Sequence, residues 1–371
     1  MTVIAAFSIE GVPLVFGDLL TTGPAERPPM ISLPTVGNVE SFFGESGWHI
    51  MGLQQKVVMI YADCVLGWAG SWLGARVAIA ELRSMAQRGV RLTVKSINAC
   101  LDSIPDLKRF EAEFVGWVRE GDRFERFTYG AATEVLPGLG EVALGGSGAG
   151  AIREFASLRL RMGQRMAGGV NPVAVAMSTA ITLAGLLIRS EFAGGDSAPT
   201  LSSMFGGGYE VATFFGGQFR KIDDFTLVVW RAQISAGNVR IELPSLVLKH
   251  KYQDDVLILR GVRMGFGDGS WKMLEQQALL IRPMYELPKL ISTAGYSVPQ
   301  LESQLHLHIV EVERDGERGL FTQFKFEDGV PSLRFVDDER GFEFWVEPEL
   351  YAGLEAGIRE MWASDPPGHR E

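Results

Sequence analysis

The chain has 371 residues, of which 46% are hydrophobic and 22% charged, so it is long and apolar enough for about two globular domains. Lys and Arg number 35 against 45 Asp and Glu, which gives a net charge of −10, and the absence of a dense basic run argues against nucleic acid as a partner. The two cysteines form no disulfide framework and have no metal-ligand spacing, so we expect a reducing compartment, no structural metal and no cofactor.

The N-terminus does not have the pattern of a secretory signal. No basic segment precedes its first apolar run, so we expect a cytoplasmic protein. One stretch, residues 170–188, approaches the length of a membrane span, but it contains polar residues and Pro172. We therefore predict a buried helix there and no membrane partner.

The first predicted element in chain order is a β-hairpin. Apolar runs at 2–9 and 13–20 flank Glu10-Gly11-Val12, which is the spacing of two strands joined by a tight turn. A Pro/Gly-rich passage then follows Thr21-Thr22-Gly23-Pro24 and ends near His49, and because its prolines disfavour regular structure we predict a long loop there. The remaining predicted elements of this half are strands at 56–61, 65–69, 124–129 and 141–144, a helix over 71–87, a short helical pattern within 97–118, and helical patterns on both sides of the glycine pair at 168–169.

The composition shifts near residue 238, after a strong strand pattern at 225–234. We predict an α/β domain over residues 1–236 and a β-rich domain of unknown role over 237–371. His306 and His308 alternate in one strand-like run and so share a face, but no third ligand is near, which favours a polar sheet face over a metal site. The predicted elements here are short strands at 239–243, 256–259 and 307–312 and a closing helix at 348–362.

Thr2 is the first residue that points to chemistry. A small side chain at position 2 normally permits removal of the initiator Met, which leaves Thr2 with a free α-amine. The hydroxyl can then attack a carbonyl while the amine, whose reference pKa is about 7.7–8.0, accepts the proton. Many proteins begin Met-Thr, so this position gains weight only from its neighbours.

Five further features follow Thr2 in a recognisable order. They are Asp18 at the end of the second strand, Lys56 just before an apolar strand, Gly70 after the next strand, Gly146-Ser147-Gly148, and the glycine run at 206–208. In order and spacing this set resembles the proteasome β-subunit family of N-terminal-nucleophile (Ntn) hydrolases. The resemblance covers about residues 2–215 and implies a four-layer αββα sandwich, an α/β (α+β) fold, to which the C-terminal domain is an addition.

The resemblance implies a role for each of these residues. Asp18 is similar to the family's structural carboxylate and Lys56 to its catalytic lysine. A Lys56 ammonium held by Asp18 would lower the pKa of the Thr2 hydroxyl and of the α-amine through its charge. The Gly70 amide would donate to the oxyanion, and Ser147 would relay a proton or bind the α-amine.

The same resemblance implies where a substrate would bind. Thr21 and Thr22 look like the family's substrate-binding edge. Trp68 and Trp72, two positions before and after Gly70, correspond to residues that line the pocket for the side chain preceding the scissile bond. Two indoles would restrict that pocket to small side chains or close it. The alternative is that both tryptophans pack in the core beneath the helix.

Two departures keep other functions open. Asn171 stands where the family usually has a carboxylate that orients the serine and the α-amine, and residues 22–55 are longer than the family's usual connection. The first interpretation is a threonine-type peptidase acting on a peptide or protein substrate. The second is a catalytically degenerate subunit that serves as an assembly scaffold, and the third is an amidase for small molecules. We expect a homo-oligomer in each case, and the sequence does not identify an unfolding partner.

Overall fold

The computed structural model describes residues 2–24, 31–39, 47–161, 171–195, 198–267, 270–284, 295–327, 331–338 and 341–364. The chain forms two compact units: an N-terminal unit, Met1–Ile222 with Ile281–Ala294, and a C-terminal unit, Asp223–Leu280 with Gly295–Glu371. The sequence placed the boundary at residue 236, whereas the structure places it after Ile222. The strand at 224–235 explains the difference, because it lies in the middle of the second unit's sheet.

The N-terminal unit contains two larger sheets, with strand orders β11-β12-β1-β2-β13-β14 and β10-β9-β8-β7, and the small pairs β3-β6 and β4-β5. Its strands are β1 (Ile4–Ile9), β2 (Val12–Asp18), β3 (Leu20–Pro24), β4 (Ser32–Leu33), β5 (Gly37–Asn38), β6 (Trp48–Leu53), β7 (Val57–Tyr61), β8 (Cys64–Ala69), β9 (Glu113–Glu120), β10 (Arg123–Tyr129), β11 (Ala132–Leu136), β12 (Gly140–Gly145), β13 (Tyr209–Phe215) and β14 (Gln218–Lys221). Its helices are α1 (Trp72–Gln87), α2 (Val94–Ser103), α3 (Ala149–Arg161), α4 (Pro172–Gly194) and α5 (Pro199–Ser202).

The two larger sheets pack face to face, and helices lie on their outer faces. Buried side chains from both sheets, among them Val15 and Val65, form one cluster between them. Because side chains alternate along a strand, Leu66 and Trp68 point to the opposite face of β8 and pack with α1 and α2. On the other side, α3 and α4 pack on the six-stranded sheet.

The hairpin β1-β2 forms as the sequence predicts, because its turn residues adopt the required conformation. Glu10 and Gly11 both have positive φ, which the twist of a tight hairpin favours. The resulting register pairs Ile4 with Gly17 and brings the start of β1 beside the end of β2. Thr2 and Asp18 are thereby placed next to each other.

Helix α4 is the buried helix that the sequence predicts around 170–188. It begins with Pro172 at its first position and Asn171 as its N-cap, a combination that favours a helix start. By length and composition α4 could cross a membrane, but 61% of its apolar 18-residue stretch is buried within the protein. A single helix of this kind is weak evidence for a membrane span, since core helices of globular proteins have the same properties.

The C-terminal unit is built on a seven-stranded sheet in the order β19-β18-β17-β15-β20-β21, with β16 paired to β15. Its core includes Trp230 on the sheet and Leu354 and Ile358 on the closing helix. The elements are β15 (Asp224–Ser235), β16 (Asn238–Ile241), β17 (Leu246–Gln253), β18 (Val256–Gly267), β19 (Ser270–Ile281), β20 (Leu305–Arg314), β21 (Glu317–Phe326), β22 (Leu333–Asp338), β23 (Gly341–Val346) and α6 (Pro348–Ser364).

The mixed helix and strand content confirms the α/β (α+β) class in its coarse form. Within the loop predicted to end near His49, the described residues contain β4 and β5, which pair with each other, and the start of β6, which pairs with β3. Helix α2 is the helix found in the stretch 97–118, which the sequence predicts to contain a short helical pattern, and β9 begins within the same stretch. Strand β9 pairs with β8 and β10, and local periodicity does not reveal such partners.

Candidate functional site

Asp18, the last residue of β2, is the centre of the site, and its side chain is completely buried. Its Oδ1 accepts hydrogen bonds from the Thr2 hydroxyl at 2.7 Å and from the Val3 backbone N–H at 3.0 Å. Its Oδ2 accepts from the backbone N–H groups of Gly206 at 2.9 Å and Leu20 at 3.3 Å. Four donors from three segments of the chain therefore fix the carboxylate.

Lys56 reaches the same carboxylate from the segment just before β7. Its Nζ lies 2.7 Å from Asp18 Oδ1 and also donates to Thr2 Oγ1 and to the carbonyl oxygen of Leu20. Both Thr2 and Lys56 are only 1% exposed. The Thr2 hydroxyl thus lies between a carboxylate, to which it donates, and an amino group, from which it accepts.

The protonation of Lys56 is set by opposing effects. Burial lowers the pKa of its amino group below the usual value of lysine, while the charge and hydrogen bond of Asp18 and the charge of Glu210 oppose this lowering. Deprotonation of the Lys56 ammonium therefore costs less free energy than deprotonation of an exposed lysine.

Glu210, on β13, fixes the backbone that carries Lys56. Its buried Oε2 accepts from the backbone N–H groups of Lys56 at 2.5 Å and Val57 at 3.0 Å. Its Oε1 pairs with Lys221 at 2.6 Å. Because β13 belongs to one sheet and β7 to the other, Glu210 ties the two sheets together at the site.

Gly70 lies at the junction of β8 and α1. Its φ is +80°, and a Cβ at this position would collide with the carbonyl oxygen of Glu111. The next residue, Ser71, caps α1 by accepting from the Gly74 backbone N–H. Gly70 thus precedes a helix N-terminus, where the partial positive charge of the helix favours an anion.

The turn at 146–148 holds the backbone of Thr2. The Gly148 N–H donates to the Thr2 carbonyl oxygen at 2.9 Å, and a Cβ on Gly146 would collide with that oxygen. Glu113 accepts from the Gly146 N–H at 2.6 Å. Ser147 itself is exposed and donates to the carbonyl oxygen of Ser203 at 2.9 Å. Its backbone neighbours therefore contact Thr2, while its hydroxyl is engaged with Ser203.

Asn171 has a structural task in this fold. It is exposed, and its side-chain oxygen accepts from the Val173 N–H at 2.9 Å as the N-cap of α4. Among the described residues, no hydrogen bond joins Asn171 to Thr2, Asp18 or Lys56. The structure therefore does not bring it together with the other predicted catalytic residues.

The predicted substrate-binding threonines lie on β3. Thr21 donates its hydroxyl to the Gly52 carbonyl oxygen at 2.9 Å, across a bulge in the β3-β6 pair. The Thr22 hydroxyl is buried and has no hydrogen-bond partner among the described residues. Pairing with β6 thus gives this edge a neighbour that the sequence did not predict.

The two tryptophans occupy different environments. Trp68 is 2% exposed, packs in the cluster with α1, and donates its indole N–H to the Gln55 carbonyl oxygen at 3.1 Å. Trp72 is 36% exposed, and Arg76 lies over its ring. The alternative prediction, that both tryptophans pack in the core, holds for Trp68 and fails for Trp72. A side-chain pocket that reached the position of Trp68 would be filled by its indole.

Sequence reasoning missed two buried carboxylates near the site, Glu191 on α4 and Glu210 on β13. Glu191 accepts from the hydroxyls of Thr35 and Thr200 and from the Gly207 N–H. The available signal was a single acidic residue within an apolar pattern in each case. It is a weak signal, because such a residue also fits an exposed helix or strand face.

No group of three or more His, Cys, Asp and Glu side chains that could hold a metal occurs within the described residues. His306 and His308, expected on a polar sheet face, are instead completely buried within the C-terminal unit. Their partners there are the Ser303 carbonyl oxygen for His306 and the Trp230 indole for His308. Burial lowers the pKa of both imidazoles.

No protein-family model matches this chain, and no curated protein matches it. Among solved structures, the chain is similar to eukaryotic HslV from Trypanosoma brucei, with 17% sequence identity and a TM-score of 0.34. The alignment covers 57% of this chain and 98% of the HslV chain. A similarity at this level is distant and does not assign an activity.

Proposed function

We propose that the N-terminal unit is an Ntn-hydrolase sandwich that hydrolyses amide bonds in peptides or proteins, with Thr2 as nucleophile. The observation that carries this proposal is the buried contact of the Thr2 hydroxyl with both Asp18 and Lys56. A buried Asp–Lys pair contributes little to stability once the cost of desolvation is counted, so its presence around a hydroxyl favours a chemical role. Met1 lies outside the described residues, and the mechanism requires its removal.

The proposed reaction begins when Thr2 Oγ1 attacks the amide carbonyl carbon. The hydroxyl proton passes to the free α-amine of Thr2, while the Lys56 ammonium, held by Asp18, stabilises the alkoxide that forms. The Gly70 N–H, at the start of α1, donates to the carbonyl oxygen as it gains negative charge. The amine product leaves with the proton, and water then releases the acyl group from Thr2.

A second candidate is a degenerate subunit that keeps the fold without cleavage. One observation favours it: Thr2 is only 1% exposed in the full-length chain, so its hydroxyl is not open to a substrate there. The position of Asn171, away from the hydrogen bonds of Thr2, agrees with this candidate as well. The cytoplasmic location and the self-association expected from the sequence stay predictions for both candidates.

The test combines intact mass, N-terminal sequencing and cleavage of fluorogenic peptides that differ in the residue before the scissile bond. We expect Met1 to be absent, and we expect Thr2→Ala and Lys56→Met each to lower turnover at least about 100-fold. Small side chains before the scissile bond should be preferred because Trp68 fills the space beneath α1.

Lys249→Met is the matched control for Lys56→Met. Lys249 is also buried and paired with an aspartate, Asp224, but it belongs to the C-terminal unit. Both substitutions remove a buried ammonium, so a loss of activity in Lys56→Met alone separates chemistry from destabilisation. Met1 retained in active protein would refute the mechanism, and processed protein without activity on any peptide would favour the degenerate subunit.

A further inference from the structure

Glu191 is a completely buried carboxylate on α4 that the proposed reaction does not use. Its Oε1 accepts from the Thr35 hydroxyl, and its Oε2 accepts from the Gly207 N–H at 3.0 Å and from the Thr200 hydroxyl at 3.5 Å. Burial raises the pKa of this carboxyl to about 7, although the hydrogen bonds from Thr35 and Gly207 oppose the shift. A buried acid of this kind is costly, which makes a role for it worth testing.

The glycine turn 206–208 connects Glu191 to the site. Two consecutive N–H groups point to two different carboxylates: that of Gly206 to Asp18 Oδ2 at 2.9 Å, and that of Gly207 to Glu191 Oε2 at 3.0 Å. A Cβ on Gly206 would collide with the Glu191 carboxylate, so the turn lies directly against it. Any displacement of Glu191 therefore moves the donor that holds Asp18.

Thr35 brings a second segment to the same carboxylate. It lies in residues 31–39, here called the strap, which form part of the long connection between β3 and β7. Leu33 and Val39 of the strap pack in one apolar cluster with Leu20, Ile50, Ala198 and Leu201. The strap is thus bound to the N-terminal unit by this cluster and by the hydrogen bond from Thr35 to Glu191.

We propose that Glu191 is a positioning residue: through the glycine turn it holds Asp18 against Lys56 and Thr2, and Thr35 of the strap completes its support. The strap is then part of the machinery rather than a surface addition. The titratable groups that face Glu191 are Asp18 and Tyr209. The charge of Asp18 helps to raise the pKa of the Glu191 carboxyl, and the charge of Glu191 helps to raise the pKa of Tyr209. This inference deepens the proposed function and rests on it wherever activity is the readout.

The first test is Glu191→Gln, a substitution of nearly equal shape. We expect kcat to fall at least about tenfold with KM changed less than about twofold, because the substitution disturbs Asp18 and leaves the substrate-binding edge intact. Thr35→Val should lower kcat in the same way, and Thr35→Ser should restore it. Thr213→Val is the matched control, since Thr213 is a buried threonine of the same unit whose hydroxyl donates to the Pro13 carbonyl oxygen at 2.8 Å. An unchanged kcat in Glu191→Gln would overturn the proposal.

Stability separates positioning from a merely structural role. A carboxyl whose pKa is raised by folding favours the native state while it is protonated, and this contribution is lost as the pH rises through about 7. Gln never ionises, so Glu191→Gln should melt no lower than the unmodified protein at pH 8 while its kcat is reduced. A fall of kcat that merely follows a fall of the melting temperature would assign Glu191 to stability and overturn positioning.

A readout without substrate makes the two proposals separable. The pKa of Lys56, followed by NMR through its side-chain ¹³Cε resonance, should shift by at least about half a unit in Glu191→Gln and stay unchanged in Thr213→Val. If the protein cleaves no peptide but the Lys56 pKa shifts, the proposed function fails and the positioning stands. If the protein is active and the Lys56 pKa is the same in both variants, the positioning fails and the proposed function stands.

Discussion

Asp18 and Lys56 form a buried ion pair whose geometry, rather than its energy, is the significant feature. Removing two charges from water costs several kcal/mol per ion, and the pair recovers that cost only through its additional hydrogen bonds. Asp18 receives backbone N–H groups from Val3, Leu20 and Gly206, which confine its oxygens to one position. The Thr2 hydroxyl, which contacts both side chains, is therefore held in place by the fold itself.

At the same scale, Gly70→Ala tests whether the junction of β8 and α1 requires glycine for space as well as for φ. Gly89→Ala is its matched control, because Gly89 has nearly the same φ, +77°, and a methyl group added there would meet no atom within 4 Å. We expect Gly89→Ala to cost about 1 kcal/mol from the positive φ alone.

Gly70→Ala should cost more than about 3 kcal/mol, because the new methyl group also meets the Glu111 carbonyl oxygen. The measurement is the free energy of unfolding of both variants in urea. Equal losses at the two positions would show that the chain near Glu111 moves aside, and the oxyanion role assigned to the Gly70 N–H would then lack its rigid support.

At the scale of elements, the sequence alone predicted the β1-β2 hairpin, β7, β8, α1 and α4, because each of them has its own local periodicity and end signals. The family resemblance singled out Asp18, Lys56 and Gly70; the structure places Asp18 and Lys56 in contact with Thr2, and the catalytic roles of all three stay predictions. The sequence did not predict β9 or the β3-β6 pair, because these strands form only through pairing with partners that are distant in the chain. For the same reason Glu191 and Glu210 were missed: only the fold shows that they are buried and what they bind.

The closing helix α6 offers a test of packing at this scale. A Cβ on Gly357 would overlap the ring of Phe321 on β21, whereas a Cβ on Gly353 would meet Gln323 at an ordinary 3.6 Å. Both glycines are inside the same helix, so Ala gains about 0.5–1 kcal/mol of helix propensity at either. We expect Gly353→Ala to be stabilising and Gly357→Ala to be destabilising by about 1–3 kcal/mol, as measured by thermal unfolding. Stabilisation by both would contradict close packing of α6 on β21.

At the scale of the whole molecule, the N-terminal unit is not one continuous piece of chain. From the last residue of β19 onward, the chain contributes Ile281, Arg282 and Met284 to it. The side-chain amides of Gln54 and Gln55 donate to the carbonyl oxygens of Arg282 and Ile281, at 2.9 and 2.7 Å, just before Lys56. A division at residue 236, as the sequence suggested, would remove these partners. The two units therefore alternate along the chain: the segment of the N-terminal unit that begins at Ile281 lies between Asp223–Leu280 and Gly295–Glu371, the two segments of the C-terminal unit.

Met284 tests this discontinuity in the full chain. It is 1% exposed and packs in the cluster beneath α1 and α2. We expect Met284→Ala to lower the free energy of unfolding of the N-terminal unit by about 2–5 kcal/mol, and Met284→Leu, which keeps the volume, to cost less than about 1.5 kcal/mol. For the same reason a fragment of residues 1–236 should be less stable in urea than the same unit in the full chain. A fragment of equal stability, together with a harmless Met284→Ala, would show that the returning segment is dispensable and would restore the boundary near residue 236.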